Sequence, residues 1–255
     1  MLQGRSGAPT VRVVSALASS LTEPEPPFST VEKALDELRA GRFVVVVDDR
    51  NRKDQGDVTI AAEFVTPDAV NFMATHARGL VCLCLPPERC DDLELRAMPR
   101  RGDAAFGTAF TASIEARSGT TTGISAHDRA RTIQVAADPR AHAADLVRPG
   151  HIFPLRAHPE GVLARRGHTE AAVDLARLSG LTPAAAVCAI LDEDGDVARR
   201  HDLLAFCARH ELSLVTVADV VAYRRRVETP DPSARTPSLL AQRDAFAGAA
   251  AVSLV

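Results

Sequence analysis

The chain has 255 residues, a net charge of −3, 46% hydrophobic and 25% charged residues. That balance is ordinary for a globular protein and gives no electrostatic case for nucleic acid or an anionic membrane as a partner. With no tryptophan and a single tyrosine, there is little from which to build a stacking surface for bases or glycans.

Residues 1–27 are small, polar and proline-bearing, ending in Glu-Pro-Glu-Pro-Pro, and read as a flexible leader. They lack the basic, apolar and small-residue order of a signal peptide. No apolar run approaches the ~18 residues of a membrane span, so a cytoplasmic location is expected. Ser29 or Thr30 caps a first helix, which carries a Val-Glu-Lys-Ala-Leu-Asp-Glu-Leu period and ends at Gly41. Phe43–Val47 is a β-branched run that predicts a buried strand, followed by the polar loop 48–57 and a return strand over Val58–Phe64. Thr66-Pro-Asp opens another helix. Gly79–Leu85 predicts a strand, Pro86-Pro87 a helix start, and Thr108–Glu115 a strand. The threonine- and glycine-rich loop 119–128 leads into a helix. Gly161–Ala164 predicts a short strand and Thr169–Leu178 a helix. A strand over Ala184–Leu191, a turn at 192–196, a helix over His201–His210, a strand over Leu212–Val217 and a helix over Ala218–Arg226 complete the core. Residues 227–255 turn to proline, serine and alanine and read as a tail. Interleaved helices and strands predict one α/β domain over 28–226, a mixed sheet with flanking helices. The five cysteines are odd in number and not spaced for zinc, so reduced core thiols are expected.

Four short stretches carry chemistry. Arg165, Arg166, Gly167, His168 and Thr169 fall on a turn entering a helix, where N–H groups, the helix dipole, a guanidinium and a hydroxyl favour a phosphate. The same residues would serve equally as a solvated surface turn. The 119–128 loop is a second oxyanion cradle of similar weight. His151, between Pro149-Gly150 and Ile-Phe-Pro-Leu, suits a general acid or base, or a structural histidine bonded to backbone. Asp48 and Asp49 could bind metal, hold a proton or cap the loop.

The ordered motifs Asp-Asp…Arg…Gly-Asp, Gly-Leu-Val-Cys-Leu-Cys, Phe-Gly-Thr…Phe-Thr, Thr-Thr-Gly-Ile-Ser-Ala-His-Asp-Arg, Arg-Pro-Gly-His-Ile-Phe-Pro-Leu-Arg-Ala and Gly-His-Thr-Glu run from about residue 30 to 225. Together they resemble the 3,4-dihydroxy-2-butanone 4-phosphate synthase family. The resemblance implies a homodimeric, magnesium-using α/β lyase of riboflavin biosynthesis that converts ribulose 5-phosphate to dihydroxybutanone phosphate and formate. It implies a phosphate-binding Arg165, a metal-binding His168, an essential His151, and substrate contacts at Arg52 and Asp57, with Asp48 and Asp49 alongside. Three loop glutamates of the family pattern are replaced here by Arg50, Lys53 and Gln55, and a catalytic glutamate by Ala189. Lys53 takes the position of a metal-binding glutamate.

An ammonium group there repels a cation, and a methyl group cannot accept a proton. The expectation is therefore a lost magnesium site, no cofactor, and altered, metal-independent chemistry on a phosphorylated sugar or ketone. Lys53, with His151 and His168, would be catalytic, stabilising an enolate or forming a Schiff base. Two alternatives stand beside it: a non-catalytic homologue that binds a ligand or pairs with an active relative, and an ordinary synthase. The expected partners are a small phosphorylated substrate and a second copy of the chain.

Overall fold

The computed structural model describes residues 28–48, 55–99 and 107–228. The leader expected over 1–27 and the tail beyond Glu228 lie outside the described residues. So do Asp49, Arg50, Arg52 and Lys53 of the polar loop.

In chain order the elements are α1 (Val31–Arg39), β1 (Val44–Val47), β2 (Gly56–Ala61), α2 (Pro67–Phe72), β3 (Arg78–Leu85), α3 (Pro87–Asp92) and β4 (Ile114–Ala116). Then come α4 (Ala126–Ala137), β5 (Leu146–Arg156), α5 (His168–Leu178), β6 (Ala185–Ile190), α6 (Arg200–His210), β7 (Ser213–Thr216) and α7 (Val217–Glu228). The seven strands form one mixed sheet in the order β4-β5-β3-β6-β2-β1-β7. The pairs β1/β7 and β3/β5 are parallel, and the other pairs are antiparallel. Helices cover both faces, as the interleaved pattern predicts.

Strand alternation assigns each side chain to a face. Val45, Val47, Val58, Ile60, Leu83, Cys188 and Ile190 pack with α2, α4 and α6. Val44, Val46 and Val215 pack with α1, α5 and α7, while Cys82, Cys84, Ala185 and Val187 meet Ala172 and Val173 of α5. Asp57, Thr59 and Ala189 follow the same alternation and lie on the α5 face. Local signals set the helix starts. The Thr30, Thr66 and Ser125 hydroxyls accept the N–H groups of Lys33 (3.2 Å), Ala69 (3.2 Å) and Asp128 (3.0 Å).

Three segments depart from the sequence reading. Gly161–Leu163 is a 3-10 turn rather than a strand. Gly161 sits at φ +58°, where a Cβ would lie 2.3 Å from both Arg224 Nη1 and Asp174 Oδ2. The strand expected over 108–115 contracts to Ile114–Ala116, with isolated bridges at Phe110 and Thr111. In its place the eleven-residue β5 runs through Pro149 and Pro154, which a breaker-based reading treats as interruptions. Pro154, which has no N–H to give, still accepts from Thr111 N through its carbonyl at 3.0 Å.

The Gly161 turn is pinned by a buried ion pair. Arg224 Nη1 donates to Asp174 Oδ2 at 2.8 Å, and Val162 N donates to the same oxygen at 2.9 Å. Asp174 is 1% and Arg224 8% exposed. Asp174→Ala leaves a buried guanidinium short of its carboxylate, so a loss of about 3–5 kcal/mol is expected in denaturant unfolding. A loss under about 1 kcal/mol would mean that the pair is solvated and does not hold the turn.

Candidate active site

The site begins where β1 ends. Asp48 follows Val47, and its N–H donates to the Gln55 carbonyl at 3.0 Å, closing the mouth of the β1–β2 loop. Asp57 on β2 pairs with Val46 on one side and Ala189 on the other. Both aspartates meet the first residue of α5. His168 Nδ1 lies 3.1 Å from Asp57 Oδ2, and His168 Nε2 lies 3.4 Å from Asp48 Oδ1. The three side chains are 16–17% exposed, so the cluster is half-enclosed yet reachable. An imidazole with a carboxylate at each nitrogen can carry charge, hold a proton or share a cation.

The turn before α5 is arranged around Glu170. Arg165 Nη1 donates to Glu170 Oε1 and Oε2 at 3.0 and 2.7 Å, and His158 N donates to Oε1 at 2.9 Å. Glu170 is fully buried. Gly167 is required here, because a Cβ would lie 2.7 Å from Glu170 Oε2. Gly167 also gives α5 no side-chain cap, leaving the helix start suited to an anion. Thr169 is buried, and its hydroxyl meets the Cys84 thiol beneath the helix. Arg166 is exposed.

His151 belongs to a second cluster. Its Nδ1 lies 2.9 Å from Glu115 Oε2, which also accepts the His151 backbone N–H at 3.2 Å. Sequence reading passed over Glu115. The signal was a lone acid in the otherwise uncharged Phe-Thr-Ala-Ser-Ile-Glu-Ala stretch, and only pairing in space gives it a partner. By strand order, β6 and β3 separate β2 from β5. At about 4.8 Å per step, the backbones of the two strands that carry His151 and Asp57 run roughly 14 Å apart.

The threonine-rich loop is not an open cradle. Thr121 N, Thr121 Oγ1 and Gly123 N all donate to Asp128, at 3.0, 2.8 and 2.9 Å. Burial works to raise the Asp128 carboxyl, but these bonds, with that from Ser125, outweigh it and hold the group below its ordinary range. A cleft of about 180 Å³ between His76, Arg78, Asp192, Asp202, Arg209 and His210 shares no residue with either cluster.

All five cysteines are free and buried. Burial, with Asp57 nearby, pushes the Cys82 and Cys188 thiols up to about 12. Cys84 also rises well above its ordinary value, chiefly through burial. A thiol reagent at pH 8 should therefore find essentially no fast-reacting cysteine in the native protein and all five after denaturation. Rapid native labelling of Cys82 would contradict the enclosure of the α5 face, and that of Cys188 the enclosure of the opposite face.

Residues 32–223 match the family model for 3,4-dihydroxy-2-butanone 4-phosphate synthase. The riboflavin biosynthesis protein RibBA of Aquifex aeolicus is 54% identical over 204 residues, which are 79% of this chain and 50% of that protein. The 3,4-dihydroxy-2-butanone 4-phosphate synthase of Pseudomonas aeruginosa is 51% identical over 196 residues, 77% of this chain and 54% of that one. The chain thus spans about half the length of these curated relatives. A solved 3,4-dihydroxy-2-butanone 4-phosphate synthase in complex with two magnesium ions is 40% identical, with a TM-score of 0.76, over 79% of this chain and 99% of that one.

These relatives correct two expectations. The first was altered, metal-independent chemistry. Relatives at 50–54% identity carry the name of the ordinary synthase or of RibBA, which favours the ordinary reaction. The second was the absence of a cofactor through loss of the magnesium site. The solved relative with two magnesium ions overturns it as an inference from sequence. The physical reason is that single replaced positions do not report the donor set as assembled. Asp48 and Asp57 bring two carboxylates to His168.

Proposed function

Because the chain belongs to the 3,4-dihydroxy-2-butanone 4-phosphate synthase family, we propose that it converts ribulose 5-phosphate to dihydroxybutanone phosphate and formate, a step of riboflavin biosynthesis. The observation that carries this reading is His168 held between Asp48 and Asp57 at the start of α5. The substrate's atoms equal those of the two products, so the reaction needs proton transfers and a carbon shift but no second substrate.

The phosphate sits at the start of α5, drawn by the helix dipole and Arg165. On the family pattern we assign sugar contacts to Asp49, Arg52 and Arg166, the first two of which lie outside the described residues. Among the described residues no three His, Cys, Asp or Glu side chains are placed to close a metal site alone. A hard cation that keeps several waters still fits the oxygens of Asp48 and Asp57 beside His168. When bound, magnesium supplies Lewis-acid polarisation of the substrate's oxygens. The chain's own residues do the rest. The Asp48–His168–Asp57 cluster orients the polyol and holds protons, and His151 removes and returns a proton beside the carbonyl. Ala189 offers no proton acceptor, so that work rests on these groups.

The strands that carry His151 and Asp57 are separated by two others, and the two histidine clusters share no residue. We place the site between two copies of the chain, His151 coming from one and His168 from the other. Mixing His151→Ala with His168→Ala, each nearly inactive, should then restore about a quarter of wild-type activity by subunit exchange. No recovery in an exchanging mixture would place both histidines in one chain's site. Among the described residues no helix is long and apolar enough to cross a membrane. The free thiols support a cytoplasmic location.

The deciding experiment is incubation with ribulose 5-phosphate, with and without magnesium, followed by NMR. Magnesium-dependent formate and a four-carbon phosphoketone are expected. No formate at enzyme concentrations near that of the substrate would reject the assignment.

A further inference from the structure

We propose that Glu115 is the positioning residue of His151, holding its imidazole in the tautomer protonated at Nδ1 so that Nε2 presents a lone pair outward. The inference rests on the proposed reaction only for its kinetic consequence; the geometry stands without it.

The local fold is built to bring this carboxylate to this ring. β4 and β5 pair as Ile114 with Ile152, then shift register so that Glu115 meets Val147. Residues 148–151 therefore bulge from β5, a device that re-aims side chains. Gly150 makes the bulge possible, because a Cβ there would lie 2.0 Å from the Ile114 carbonyl oxygen. Ser113 Oγ accepts the Gly150 N–H at 3.2 Å, fixing the bulge on its other side. Glu115 reaches into it and takes both His151 groups on one oxygen, Oε2. Its other oxygen lies 3.4 Å from the Thr132 hydroxyl. Gly123 passes directly over the carboxylate, leaving room for no side chain: a Cβ would sit 2.1 Å from Oε2.

An ionised carboxylate only accepts hydrogen bonds, so the 2.9 Å contact puts the imidazole hydrogen on Nδ1. The His151 side chain is 43% exposed and that of Glu115 12%. The acid is enclosed while the base faces solvent, the division of labour in which a buried carboxylate orients a histidine that handles protons.

The test is long-range ¹H–¹⁵N NMR of ¹⁵N-histidine-labelled protein, with His151 assigned by loss of its signals in His151→Gln. The wild type and Glu115→Gln, whose amide oxygen still accepts, should show the Nδ1–H form. Glu115→Ala and the bulkier Glu115→Met should move to the Nε2–H form that histidine favours in water. Their kcat with ribulose 5-phosphate should fall about 100-fold, with KM changed far less. Retention of the Nδ1–H form in both Glu115→Ala and Glu115→Met would overturn the proposal. A wild type that shows the Nδ1–H form, lost in both variants, but no turnover supports the positioning role and rejects the reaction instead.

Discussion

The burial of α5 against the sheet is the constraint from which the site follows. Its residues 169–176 are all buried, three of them alanines that let the helix approach the strands closely. Two of the eight are acids, Glu170 and Asp174, one turn apart. Each is matched by an arginine and by a backbone N–H from the preceding segment: Arg165 and His158 for Glu170, Arg224 and Val162 for Asp174. An uncompensated carboxylate in this position would cost several kcal/mol, so the segment 158–165 has little freedom to leave the helix. That tie delivers His168 to the row where Asp57 emerges on the same face. The placement of His168 thus begins with charge pairs beneath and beside the helix.

Close backbone approach is the second organising device. At Gly167, Gly150 and Gly123 the missing Cβ makes space for a carboxylate or a carbonyl, and at each the neighbour belongs to one of the two clusters or to the arginine turn. These glycines do not loosen the site. They permit contacts that hold acids where imidazoles can meet them.

Much of the architecture was legible in the chain. The four consecutive valines of β1, the threonine and serine caps and the period of α5 each follow from local physics. What could not be read depended on partners far away in sequence. β5 was hidden by its prolines, whose missing N–H groups matter only if a neighbour needs them. Glu115, Glu170 and Asp174 were given no individual role, because burial is not visible in spacing. The same limit explains the mistaken step from Lys53 and Ala189 to a lost cofactor. Counting absent glutamates treats a site as a string of positions. A donor set is assembled by strand register and helix placement, and Asp48 and Asp57 join it only through the fold.

The two histidine clusters share one building principle and differ in its count. His168 has a carboxylate near each ring nitrogen, so both nitrogens face fixed negative charge, a setting for holding a cation or a proton. His151 has one carboxylate at one nitrogen, which leaves the other for transfer. The proposed reaction, which stabilises charge and moves protons on one sugar, would use both settings at once. On one chain they stand on strands separated by two others. The methyl of Ala189, facing Asp57 across the β2–β6 ladder, adds no third acid to that end of the row. The proton chemistry is thereby concentrated on two imidazoles, and the carboxylates around each decide which of the two tasks it performs.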